Sequence, residues 1–383
     1  MDFELGESQR ELRELARAWV DKEVVPHAAA WDRAESVDTA IVGKLGEMGF
    51  LGIEIPEEYG GSGGTALDYC LLLEELGRGD SSVRGIVSVS LGLVGKTIKT
   101  YGTAEQKREW LPRLCSGESL GCFGLTEPGT GSDAGNLTAK AVRDGDDWLL
   151  SGTKIFITNG TWADVAIIFA RSGGPGPKGV TAFLVPTDAP GFQRTEIKGK
   201  LGLRGQATAE LVLDGVRVPD TARLGDEGQG FKIAMAALDK GRMGVAAGCV
   251  GVARGCLEAA VKYAREREQF GKPIASYQLV QELLADIAVD VEAARLLTWR
   301  VADLVERGKP FGTEASVAKL FASEAAVKAA NNAIQVFGGY GYIDEFPAAK
   351  YLRDARVLTL YEGTSQIQKL LIGRALTGVN AFV

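Results

Sequence analysis

Apolar positions recur at helical spacing over the first third of the chain. Glu7 to Val24, Ala66 to Leu76 and Gly85 to Tyr101 each read as helix. Between the first two, Tyr59-Gly60-Gly61-Ser62-Gly63-Gly64 predicts a loop that glycine follows at little conformational cost. The period then drops to two. Leu137 to Val142, Trp148 to Ile157 and Glu210 to Val218 alternate, while Val165 to Ala170 and Val180 to Pro186 are short β-branched runs; Gly, Pro and Asp punctuate them. From Phe231 the helical period returns. Phe231 to Ala264 is rich in Ala, Val and Gly, the texture of a tightly packed buried helix. Ser276 to Arg307 and Thr313 to Phe337 read as long amphipathic helices, the first with a stripe of Leu279, Leu283, Ile287, Val291, Ala294 and Leu297. The pattern predicts a mainly α protein with an inserted β domain: helical over 1–118, β over 119–227, helical again over 228–383.

Composition narrows the function. The 383 residues are 45% apolar and 24% charged, ordinary for a globular protein. A net charge of -7 argues against nucleic acid as partner. No run reads as apolar for long enough to span a bilayer, so no membrane association is expected. The polar, acidic N-terminus is neither a secretory signal nor a transit peptide, and the C-terminus carries no lipidation motif; a cytoplasmic protein is expected. Cys70, Cys115, Cys122, Cys249 and Cys256 are odd in number and widely spaced, which fits reduced thiols. His27 is the single histidine. That removes HExxH zinc sites and paired ExxH di-iron bundles, and leaves Ser-His-Asp only with His27 as its base. Acid–base work then falls to carboxylates, Lys, Tyr or Cys, or the hard chemistry to a cofactor.

Three motifs stand out. Leu125-Thr126-Glu127-Pro128-Gly129-Thr130-Gly131-Ser132-Asp133-Ala134 contains Gly-x-Gly-x-x-Ala, but a dinucleotide fold needs a helix straight afterwards. Leu137 to Val142 looks like a strand instead. The segment is either a plain turn or a Gly-rich loop offering N–H and hydroxyl donors to a flat polar ring or a phosphate. Ser151-Gly152-Thr153-Lys154-Ile155-Phe156-Ile157-Thr158-Asn159-Gly160 is strand ending in Asn-Gly, which a hairpin alone would explain. In Tyr361-Glu362-Gly363-Thr364-Ser365-Gln366, a carboxylate precedes a glycine and so stands at a break between helices. It is either a surface or cap-neighbouring carboxylate, or one desolvated toward the basicity of a working base.

Together these stretches resemble the acyl-CoA dehydrogenases over nearly the whole chain. Ile55-Pro56-Glu57-Glu58-Tyr59-Gly60-Gly61, Arg267-Glu268-Gln269-Phe270-Gly271 and Gln335-Val336-Phe337-Gly338-Gly339-Tyr340-Gly341 add to the match, in the expected order. The resemblance implies an N-terminal helical domain, a middle β-barrel-like domain and a C-terminal four-helix bundle, with FAD in the crevice between the last two. It implies that Phe123, Leu125, Thr126, Gly131 and Ser132 face the flavin or the thioester, and that Phe156 and Thr158 contact the isoalloxazine. Arg267, Phe270, Gln335 and Gly339 would reach a neighbouring subunit's cofactor, and Thr364 and Gln366 the adenosine side. The implied reaction is α,β-dehydrogenation of an acyl-CoA in β-oxidation. Glu362 would take the α-proton and the flavin the β-hydride, with Ser132, Arg242, Tyr361 and Gly363 on the substrate side. Some branches place the base just before an arginine matching Arg242; Gly241 stands there and cannot serve. An electron-transfer flavoprotein as acceptor and a homotetramer, a dimer of dimers, are also implied.

Arg84 has two readings. Glutaryl-CoA dehydrogenases carry an arginine there to hold a distal carboxylate, and Gly373-Arg374-Ala375-Leu376-Thr377-Gly378 also resembles that branch. Gly77 and Gly85 depart from it, standing where a glutamate and a serine are expected. The other reading is a helix-end arginine paired at the surface. A short or polar acyl chain is expected. The alternative is a carrier-protein-bound or dicarboxylic, glutaryl-type thioester, handled by a dehydrogenase or an oxidase.

Overall fold

The computed structural model describes residues 4–381. The first region is built from α1 (Glu7–Glu23), α2 (Ala28–Ala34), α3 (Ala40–Glu47), α4 (Ala66–Gly79), α5 (Ser81–Val87), α6 (Lys96–Tyr101) and α7 (Ala104–Ser116). Side chains fix several of the starts. Thr65 accepts from the Asp68 N–H while Asp68 accepts from the Thr65 N–H, a reciprocal cap for α4. Asp80 caps α5 by accepting from the Ser82 and Val83 N–H groups at 2.6 and 3.1 Å. Between α5 and α6 the chain widens into a π-helix, Ser88–Gly95, wholly buried. Such segments are uncommon and occur often at functional sites.

The strands are β1 (Gly121–Gly124), β2 (Lys140–Asp144), β3 (Asp147–Thr158), β4 (Val165–Arg171), β5 (Val180–Pro186), β6 (Phe192–Glu196), β7 (Thr208–Pro219) and β8 (Arg223–Leu224). They form one sheet in the order β6-β7-β3-β2-β4-β5-β8, with β1 parallel to β4. On β4, Val165, Ile167 and Phe169 face the helices, while Ala166, Ile168 and Ala170 join Trp148, Leu150 and Phe183 in a separate small core. The sheet thus wraps its own apolar centre and still presents an apolar face to the helices. Asn159-Gly160 makes no hairpin: β3 pairs with β2 and β7, and β4 with β1, β2 and β5. The Asn159 amide is buried instead, donating to the Ile86 and Gly121 carbonyls at 3.3 Å.

The last region holds α8 (Gly230–Glu266), α9 (Gln278–Glu306), α10 (Gly312–Phe337), α11 (Pro347–Leu358) and α12 (Ser365–Thr377). The two-residue strands β9 (Glu268–Gln269) and β10 (Lys272–Pro273) follow α8 as a small hairpin. Helix α8 packs against α4, α9 and α10. Its glycines set how closely. A Cβ on Gly251 would lie 2.1 Å from the Glu74 carbonyl oxygen, and one on Gly77 2.5 Å from that of Gly248. Helix α8 corrects one expectation, because it is long and apolar enough to cross a bilayer by length and composition. Its most apolar window is 72% buried inside the protein, so that apolar surface is used by the core. Leu279 also departs from its predicted stripe, at 75% exposed, while Ile287, Val291 and Ala294 are buried.

Candidate active site

Glu362 sits in the break between α11 and α12 with φ +52°, and Gly363 follows at +93°. Left-handed backbone is costly for a residue with a side chain, so surrounding groups must hold it. Gln368, fully buried on α12, donates from Nε2 to the Glu362 and Gly363 carbonyls, both at 3.1 Å. Lys319, fully buried on α10, donates from Nζ to the Gly363 carbonyl at 2.8 Å. Thr364 caps α12 by accepting from the Ile367 N–H, and Ser365 donates to Glu324.

The side chain of Glu362 points at α8. A Cβ on Gly241 would stand 2.2 Å from Glu362 Oε2 and 3.0 Å from Leu93 Cδ2, so the bare glycine makes the room. Oε2 is buried and has no hydrogen-bond partner among the described residues. Burial pushes the carboxyl up to about 7, against the opposing pull of Arg84, Lys319 and Arg242.

Arg84 is not a surface arginine: it is 2% exposed. It donates from one terminal nitrogen to Tyr361 Oη at 2.5 Å and from the other to Ser88 Oγ at 3.2 Å, while Nε is buried with no partner among the described residues. Its helix is anchored by Asp80, which pairs with Lys350 at 2.8 Å; Lys350 also pairs with Asp354 at 2.6 Å. Arg242 is buried and ion-paired with Asp239.

The Gly-rich segment is fixed to the β domain. Buried Glu127 meets buried Lys154 at 2.8 Å and accepts from the Thr138 and Ala139 N–H groups. The Ile155 N–H donates to the Thr126 carbonyl, tying the loop to β3. Gly129 and Gly131 have nothing within 4 Å of where a Cβ would stand, and Ser132 is exposed. Thr130 Oγ1 is buried without a partner among the described residues. Phe123 and Leu125 are buried at the base. Phe156 projects 66% exposed from left-handed backbone at φ +60°, and Thr158 Oγ1 donates to Gln206 Oε1 at 3.4 Å. An open glycine cradle, an unpartnered hydroxyl and an exposed ring at the irregularity of β3 between Lys154 and Ile157 fit a flat cofactor with a polar edge.

The remaining predicted residues gather elsewhere. Arg267 and Gly339 line one surface depression of about 490 Å³, with the Arg267 guanidinium 5.6 Å from the centre of the Tyr340 ring. Gln335 is exposed beside it, and Phe270 is 95% exposed at φ +52° on the hairpin turn. No hydrogen bond or ion pair among the described residues joins them to the Glu362 group. Gln366 is exposed on the first turn of α12.

Sequence reasoning missed Lys319 and Gln368. Lys319 had a readable signal, a lone charge among Ala315, Ala318 and Ala322 on the buried face of α10.

The fold and site define a protein with a place for a flat cofactor and a desolvated carboxyl group. Family models described as acyl-CoA dehydrogenase N-terminal, middle and C-terminal domains match residues 6–118, 122–216 and 228–377. The mouse (Mus musculus) mitochondrial short-chain specific acyl-CoA dehydrogenase is 45% identical over 96% of this chain and 90% of its own length. A chain in the solved structure of the electron transferring flavoprotein of Acidaminococcus fermentans, concerned with flavin-based electron bifurcation, superposes with TM-score 0.97 and 43% identity, over 98% of this chain and all of that one. Glutaryl-CoA dehydrogenase from Mycobacterium smegmatis gives 0.95 and 41%, over 99% and 97%. The chain belongs to the acyl-CoA dehydrogenase family. It is an FAD-dependent oxidoreductase that dehydrogenates acyl-CoA thioesters in β-oxidation.

Proposed function

We propose that the enzyme oxidises short-chain acyl-CoA thioesters with Glu362 as the base, and that it is a cytoplasmic homotetramer passing electrons to an electron-transfer flavoprotein. The observation that carries this reading is the buried, unpartnered Oε2 of Glu362, held near neutral basicity. A base with that poise is substantially ionised at neutral pH yet still strong enough to accept a weakly acidic α-proton. The Glu362 N–H finds no acceptor among the described residues and is free to donate to the thioester oxygen as negative charge develops there. Tyr361 and Gly363 flank this point in the chain, Arg242 acts on it electrostatically, and Ser132 on the Gly-rich loop would be a further substrate contact. FAD, when bound, supplies the hydride acceptor. Phe123, Leu125, Thr126, Gly131, Ser132, Phe156 and Thr158 would hold its ring system, and Thr364 and Gln366 its adenosine side. Exposed Arg267, Phe270, Gln335 and Gly339 would complete the site of an adjoining subunit, which supports an assembly of at least two chains. A short acyl chain is supported by the short-chain relatives.

The buried Arg84 supports a second reading, a dicarboxylic substrate gripped by its guanidinium. Two of its nitrogens are already engaged by Tyr361 and Ser88, which favours the first reading. Anaerobic titration of the FAD-loaded enzyme with butyryl-, octanoyl-, isobutyryl- and glutaryl-CoA separates the two. Flavin bleaching by butyryl-CoA supports the short-chain reading. Preference for glutaryl-CoA, abolished in Arg84→Met, supports the dicarboxylic one. Bleaching by none of them points to a carrier-protein thioester.

A further inference from the structure

Lys319 is an unusual group to bury. Its side chain is 0% exposed on the inner face of α10, among Ala315, Ala318 and Ala322. An ammonium has three donors, and here Nζ has one acceptor among the described residues, the neutral carbonyl of Gly363 at 2.8 Å. It forms no ion pair among the described residues. A buried charge with so little compensation is expensive, and a methionine would fill the same space. A structural lysine would be expected to meet a carboxylate directly, as Lys154 meets Glu127 at 2.8 Å.

We infer that Lys319 is a positioning residue for proton abstraction: its ammonium clasps the Gly363 carbonyl, fixing the left-handed Glu362–Gly363 turn, and keeps a positive charge behind the Glu362 carboxylate. This rests on the reading of Glu362 as the base.

The two jobs are separable because the turn has a second, neutral support. Gln368 donates to the same Gly363 carbonyl and to that of Glu362, from α12, without adding charge. The charge around Glu362 comes from three elements: Arg84 on α5, Arg242 on α8 and Lys319 on α10. Tyr361 and Tyr69 also face it, and Cys249 and Glu324 act on Lys319. Burial brings Lys319 itself down to about 8, so it is largely cationic where Glu362, at about 7, exchanges its proton. The sign follows: the cation favours ionised Glu362, and its removal makes the carboxyl harder to ionise.

The test is the pH profile of kcat for the FAD-loaded wild type, Lys319→Met, Lys319→Arg and Gln368→Ala. Lys319→Met is expected to move the acidic limb up by about one pH unit, Lys319→Arg to leave it near the wild-type position, and Gln368→Ala to lower kcat without moving it. Where Lys319→Met fails to fold, Lys319→Gln carries the same charge test. A readout free of turnover is the change in melting temperature caused by Glu362→Gln, followed against pH in the otherwise wild-type chain and in the Lys319→Gln chain; the midpoint of that change should move up in the second. An acidic limb unmoved in both neutral variants, or moved equally by Gln368→Ala, overturns the inference. A Glu362→Gln enzyme as active as wild type would instead remove the reading on which it rests.

Discussion

Glu362 lies against the bare backbone of Gly241, so close that a Cβ there would come within 2.2 Å of its Oε2. Position 241 is therefore kept empty by the carboxylate's need for space. Gly241→Ala adds helix propensity to the interior of α8, worth about 0.5–1 kcal/mol, yet must displace Glu362 or Leu93. The expected outcome is a protein that melts near the wild-type temperature, with kcat lowered by about 10- to 100-fold and FAD still bound. Parallel melting curves and steady-state rates check it; an unchanged kcat would mean that the carboxylate has room to spare.

The raised proton affinity of Glu362 also predicts a stability signature. An unfolded glutamate titrates near 4.3, whereas the folded group titrates at about 7. Folding therefore favours the protonated form. This carboxyl lowers native stability progressively as pH rises from the unfolded value through 7, and the penalty is constant above that. Glu362→Gln removes it. The variant should match wild type near pH 4 and exceed it at pH 8 by up to about 3 kcal/mol, read from denaturant midpoints at each pH. A variant less stable than wild type at pH 8 would contradict this origin of the raised value.

The Glu127–Lys154 pair makes the opposite kind of prediction, because both groups are buried and each compensates the other. Lys154→Met alone strands a buried carboxylate and should cost about 3–5 kcal/mol. Adding Glu127→Gln should recover a substantial part of that loss. Equal and additive losses in the double variant would show that the loop is held by its backbone bonds alone.

Phe156 and Phe270 are exposed aromatic rings on left-handed backbone, 66% and 95% exposed. Neither contributes much burial to its own chain. Phe156→Ala and Phe270→Ala should change apoprotein melting by little, within about 0.5 kcal/mol, while each weakens FAD retention. Cofactor loss on gel filtration reads this directly. If Phe270 serves a neighbouring subunit, mixing Phe270→Ala chains with Phe156→Ala chains should restore part of the binding. Retention of FAD by both single variants would remove these rings from the cofactor site.

Much of this was legible from the residues alone. Period three-and-a-half to four set α1 at Glu7–Glu23 against a predicted Glu7 to Val24, and α10 at Gly312–Phe337 against Thr313 to Phe337. The carboxylate–glycine order at 362–363 pointed to a helix break, and there the backbone turns left-handed. What stayed illegible depended on long-range packing. Asn159-Gly160 has hairpin chemistry, but strand neighbours are chosen by burial, and the amide went inward to Ile86 and Gly121. Arg84 looked as much like a surface residue as a buried one, because its partner Tyr361 lies 277 positions away. For Lys319 the period marks an inward-facing charge but does not say that the Gly363 carbonyl waits there.

Removal of the substrate proton by Glu362 is the step on which the proposed chemistry depends. Its most direct test is the rate of flavin reduction when FAD-loaded wild type and Glu362→Gln are mixed anaerobically with butyryl-CoA in a stopped-flow spectrophotometer. The expected result is prompt bleaching of the wild-type flavin and, in Glu362→Gln with FAD and thioester still bound, reduction slower by about 10²- to 10⁴-fold. Reduction of the Glu362→Gln flavin at the wild-type rate would contradict it.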